Sequence, residues 1–101
     1  MAKLTRKRPA TISHDLKFRG QGEEFELHVE YNNITWEELQ SAFDPNDKTT
    51  LAWLPKLVKS WDAEFPITVE GGKEIEDLFP GVLPLVIQGF HQARTFELAK
   101  N

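Results

Sequence analysis

The chain of 101 residues contains no cysteine. That excludes disulfides, a thiol nucleophile and every thiolate-ligated zinc or iron–sulfur centre. Long apolar runs are missing too: none approaches the ~20 residues needed to span a bilayer, so no membrane segment is expected. No apolar segment follows the basic start Met1 to Arg8, which argues against a secretory leader. There is no repeat, no Ser/Gly linker and no low-complexity tract to divide the chain. Basic charge is scarce outside the first residues. The net charge is −4, yet Lys3, Arg6, Lys7 and Arg8 are all positive, so the remainder carries −8. A phosphate-binding domain presents a basic folded face. Here only residues 1–9 are basic, and they read as a flexible solvated arm, so nucleic acid is not an expected partner.

What is present suits one small globular domain, residues 10–101. Hydrophobic residues make up 40% and charged residues 28%, ordinary values for a folded chain. Residues 10–32 read as a β-hairpin. Ile12, Leu16 and Phe18 alternate with polar residues, Gly20-Gln21-Gly22 supplies a turn, and Phe25, Leu27, Val29 and Tyr31 alternate with Glu24, Glu26, His28 and Glu30.

The remaining part, residues 34–98, reads as about four short helices, making an α+β domain that is mostly helical. Thr35 and Glu38 fit a capping box, opening a helix with Trp36, Leu39 and Phe43 on one stripe, which Asp44-Pro45-Asn46-Asp47 closes. A second helix from Thr49 or Thr50 to Trp61 would carry Leu51, Leu54, Leu57, Val58 and Trp61, with Pro55 just past its first turn. Lys73 to Phe79 gives a third helix burying Ile75, Leu78 and Phe79, preceded by a cap-like Thr68 and a weakening Gly71-Gly72 pair. Pro84 opens a last helix running to about Leu98, apolar on all sides at its start. The candidate core is Phe25, Leu27, Val29, Trp36, Leu54, Leu57, Val58, Trp61, Leu78, Val86 and Phe90. Trp53 falls off its stripe, and Leu85 and Phe96 lie on another side of the last helix from Val86 and Phe90. These three form the candidate partner-binding surface, and self-association is expected.

Catalytic and metal-binding patterns are weak. Ser13-His14-Asp15 holds the residue types of a hydrolase triad, but neighbours on a strand point to opposite faces. His14, His28 and His91 fall on different elements without ligand spacing, and Asp44-Pro-Asn46-Asp47 lacks the glycine and glutamate of a calcium loop. No enzyme, no metal and no cofactor is expected.

Three short stretches carry a resemblance. They are Val58-Lys59-Ser60-Trp61-Asp62, then Pro66-Ile67-Thr68-Val69-Glu70, then Leu78-Phe79-Pro80-Gly81-Val82-Leu83. In this order, over roughly residues 24–95, the chain resembles the tail assembly chaperones of long-tailed bacteriophages. Pro55 and the Gly71-Gly72 pair depart from that pattern. The resemblance implies a non-enzymatic protein of the bacterial host cytoplasm, absent from the mature virion. Its implied partners are the tape-measure protein and the tail tube protein. The alternative is a small tail-completion or head–tail joining protein. The family commonly makes a longer product by a −1 frameshift, and Ala99-Lys100-Asn101 is compatible with a slippery heptamer, so the chain is expected to be a short product.

Overall fold

The computed structural model describes residues 3–43 and 51–98. Two ten-residue strands, β1 (Thr11–Gly20) and β2 (Glu23–Asn32), form the expected hairpin. Its loop is Gln21-Gly22, with φ of 53° and 82°. Two successive positive φ values make the primed turn whose twist matches the flanking strands, and glycine reaches that region without a Cβ penalty. The register pairs Ile12 with Tyr31, His14 with Val29, Leu16 with Leu27 and Phe18 with Phe25 on one face. The other face pairs Asp15 with His28, Lys17 with Glu26 and Arg19 with Glu24. Alternation thus separates an apolar inner face from a polar outer one.

The expected second helix is corrected. In its place stand a short helix, α2 (Trp53–Leu57), and a third strand, β3 (Val58–Trp61), paired antiparallel to β2. The sheet order is β1-β2-β3. Val58 faces Tyr31 and Trp61 faces Val29, so two inward residues are three apart on β3 but two apart on β2. A bulge accounts for the difference. It also explains the misreading, because apolar residues three apart imitate helical spacing. Pro55 occupies the third position of α2, where a missing N–H leaves no hydrogen bond unmade. The domain is therefore not mostly helical: helices hold 37% and strands 27% of the described residues.

Three further helices pack on the inner face. The first, α1 (Trp36–Gln40), carries the capping box: Glu38 N–H donates to Thr35 Oγ1 at 3.1 Å and Thr35 N–H to Glu38 Oε1 at 3.4 Å. One turn can aim only one large side chain inward, and Leu39 takes that place. Trp36, expected in the core, is 44% exposed and leans on the His91 ring. The next, α3 (Val69–Leu78), starts four residues earlier than Lys73, on a Thr68 cap that accepts from Gly71 N–H at 3.0 Å. The glycine pair serves packing. A Cβ on Gly71 would lie 2.0 Å from the Pro66 carbonyl oxygen, and one on Gly72 would lie 2.8 Å from Leu51.

Leu78, another expected core residue, is 52% exposed at the end of α3, and Phe79, also expected to be buried, is half-buried at its C-cap. The last helix, α4 (Val82–Arg94), is shorter at its end than expected, leaving Phe96 and Leu98 outside it. Glu76 caps its start, accepting from Leu83 N–H at 3.1 Å.

The core joins both layers: Leu16, Leu27, Val29 and Tyr31 from the sheet meet Leu39, Trp53, Leu54, Leu57, Val58, Ile75, Leu83, Val86 and Phe90. Phe25 and Trp61, expected there, are half-buried. The turn at Asp44-Pro45-Asn46-Asp47, the helix start at Thr49 or Thr50, and Ala99-Lys100-Asn101 lie outside the described residues. No described helix is long and apolar enough to cross a membrane.

Candidate functional site

At the hairpin-turn end, side chains from five segments converge without filling the space between them. Phe18 of β1 and Phe25 of β2 stack at 5.9 Å between ring centroids, next to the tight turn that brings their strands together. Phe79 sets its edge on Phe25 at 5.7 Å, and Phe65 meets Phe79 at 6.3 Å in a second edge-on contact. Both geometries are favourable for aromatic pairs. Trp61 Nε1–H donates to the Phe65 carbonyl at 2.8 Å, holding the 62–66 loop over the end of β3. Gln21 Nε2–H donates to the Leu78 carbonyl at 2.9 Å, tying the turn to the end of α3.

Between these elements lies an open groove of about 570 Å³. Its floor is Phe18, Phe25, Leu27, Ile75 and Phe79, with Leu78 at the edge and Glu26, Asp62 and Glu64 around it. A smaller hollow of about 290 Å³ continues past Phe18 and Phe79 to Leu85.

The electrostatics are one-sided. Three carboxylates border the groove, and the outer sheet face beside it is only partly balanced. Arg19 pairs with Glu24, and Lys59 stands 3.7 Å from Glu30. Asp62 accepts from His28 N–H at 3.0 Å, and the His28 ring bonds to Asp15. The bond to Asp15, with the charges of Asp62 and Glu30, raises the His28 pKa above its ordinary value.

Of the expected partner surface, only part is available. Trp53 is corrected: it is 4% exposed, at the first position of α2, with Phe43 stacked over it at 6.1 Å. A five-residue helix pressed on the sheet leaves no second side for it to occupy. Leu85 is exposed and lines the smaller hollow. Phe96 is exposed beyond the C-terminal end of α4, whereas Leu85 lies in its first turn, so the two sit at opposite ends of the helix. The groove residues Phe18, Phe65 and Phe79 did not stand out in the sequence. Their shared signal is adjacency to a turn: Gly20, Pro66 and Pro80 each lie within two residues.

Ser13 and Asp15 project to the outer face and His14 to the inner one, so they do not converge. Among the described residues no three His, Asp or Glu groups gather as a metal site. An aromatic floor with an acidic border can cover an apolar side chain and favour a cation next to it. No family model, curated protein or solved structure matches the chain.

Proposed function

We propose that the chain is a non-enzymatic tail assembly chaperone that holds a helical, apolar segment of a tape-measure protein in the groove between the hairpin turn and α3. The observation that carries this reading is the groove itself: four half-buried phenylalanines and a half-exposed leucine lining an open hollow on an acidic domain. Exposed apolar clusters rimmed by polar groups mark binding surfaces, and an amphipathic helix lays its apolar face into such a groove. The acidic border suits a segment with lysine or arginine flanking its apolar stripe.

Reversible capture in the bacterial cytoplasm before tail assembly follows, with release before the virion matures. The test has two parts. Calorimetric titration with helical segments of a tape-measure protein should give saturable binding. Mass spectrometry of purified particles should find the chain missing. Retention in finished particles would favour a tail-completion or head–tail joining role, and failure of every segment to bind would end the chaperone reading.

A further inference from the structure

β1 is an edge strand, and the direction of its open hydrogen-bonding groups can be read from β2. His28 donates its N–H to the Asp62 carboxylate at 3.0 Å, and its carbonyl accepts from Asp62 N–H at 3.2 Å, both on the β3 side. Asp15 stands opposite His28 in the ladder. In an antiparallel pair, a residue facing such a position turns its own N–H and C=O the other way. The backbone groups of Asp15 therefore point out of the open edge, and by alternation so do those of Ser13, Lys17 and Arg19. Among the described residues, none of these four has a backbone partner on that side.

An open row of this length is a template for another strand. The charges on it select which strand. Ser13, Asp15, Lys17 and Arg19 place neutral, negative, positive and positive side chains along the outer face.

We propose that the occupant is β1 of a second copy, paired antiparallel about a two-fold axis at Leu16, so that two three-stranded sheets join into one of six strands. A symmetric antiparallel pair must set outward groups against outward groups, which restricts the axis to a residue position. With the axis at Leu16, each Asp15 faces a Lys17 and each Ser13 faces an Arg19. An axis at Asp15 opposes two aspartates. One at Lys17 opposes two lysines, one at Phe18 sets Lys17 against Arg19, and one at His14 brings no unlike charges together. The Leu16 register alone sets unlike charges opposite without a like pair; unlike pairs across strands stabilise a register and like pairs oppose it, while the residue-centred axis keeps the apolar faces together. On the inner face Leu16 then meets Leu16 and His14 meets Phe18. The two copies of α4, which lies over β1, come alongside each other.

Sedimentation of the full chain over micromolar to millimolar concentrations tests this. The wild type should show a monomer–dimer equilibrium. Lys17→Pro should be monomeric with an unchanged circular dichroism spectrum, because its N–H points outward and the β1–β2 ladder loses no bond. Asp15→Lys should weaken the dimer by about tenfold or more, since it sets lysine against Lys17 at two symmetric places. The double variant Asp15→Lys/Lys17→Asp should restore it. A wild type that stays monomeric overturns the proposal. So does a dimer that survives Lys17→Pro, or one whose strength ignores the charge swap. If Lys17→Pro fails to fold, the swap series decides alone.

Discussion

The Tyr31 hydroxyl donates to the Val86 carbonyl at 2.7 Å inside the core, joining the central strand to α4. Burial pushes the Tyr31 hydroxyl's pKa well above its ordinary value, so it stays a donor. The same contact sets how close α4 can lie. A Cβ on Gly89 would fall 2.3 Å from Leu16 Cδ2 and 2.8 Å from Tyr31 Oη. Glycine is thus the residue that lets the helix backbone reach the hydroxyl. Tyr31→Phe should cost about 1 kcal/mol, the net worth of one buried hydrogen bond. Gly89→Ala gains about 1 kcal/mol of helix propensity but overpacks the core by roughly 1–3 kcal/mol, so a net loss is expected. Removing the hydroxyl clears one of the two obstacles, so the double variant should lose less than the two single losses added together. Urea unfolding of the four proteins checks this cycle.

Gly71→Ala should be more harmful than Gly89→Ala. The obstacle at Gly71 is the backbone oxygen of Pro66, 2.0 Å from the added Cβ, and a carbonyl cannot swing aside as a leucine methyl can. The Thr68 cap would have to shift with it. A loss of about 2–4 kcal/mol is expected, the sum of overpacking and a disturbed cap. A melting temperature equal to wild type would show that α3 does not approach the 66–68 loop as described.

Trp53→Ala should be strongly destabilising, by roughly 3–5 kcal/mol, as for a fully buried tryptophan. That outcome separates the observed packing from a role at a partner surface, where the change would leave stability nearly untouched. Thermal unfolding followed by circular dichroism gives the answer directly.

The parts of the fold that were legible in the sequence are those set by local chemistry. The alternation from Phe25 to Tyr31, the Gly-x-Gly turn and the Thr35/Glu38 capping box each rest on neighbours in the chain, and each is present. β3 was hidden because its bulge places Val58 and Trp61 three residues apart, the interval that otherwise marks a helix. Trp36 and Leu78 fall outside the core for a related reason. On helices this short or at their last residue, a stripe position does not guarantee a neighbour to pack against. The groove was illegible because its phenylalanines come from positions 18, 25, 65 and 79, and only the tertiary fold unites them.

Stability should fall slightly as pH rises through the His28 titration. Its folded pKa is raised, chiefly by the hydrogen bond to Asp15. A raised folded value means that the stabilisation is fully present below the unfolded value of about 6.5 and is lost as pH climbs past the folded value. Asp15→Asn removes the main cause. Melting temperatures taken between mildly acidic and mildly alkaline pH should decline for the wild type and run flatter for the variant. Parallel curves would show that the His28–Asp15 contact has no thermodynamic weight.

Leu78→Asp should separate binding from folding. Leu78 is 52% exposed, so the substitution removes little buried surface and should leave the melting temperature within a few degrees of wild type. At the groove it adds a fourth carboxylate beside Glu26, Asp62 and Glu64 and takes away the apolar edge above Phe79. An apolar segment would then have to bury a charge without a partner, which costs several kcal/mol and should abolish binding. Leu78→Met keeps the volume and polarity of the edge and should bind within about threefold of wild type, as volume-conserving apolar exchanges do. Raising salt roughly tenfold should weaken wild-type binding only modestly, because the carboxylates border the groove while the aromatic floor supplies the contact area. Calorimetry on the three proteins with one helical peptide decides. Equal affinity for wild type and Leu78→Asp would remove the groove as the binding site, and a salt effect of several orders of magnitude would assign the binding to the acidic border alone.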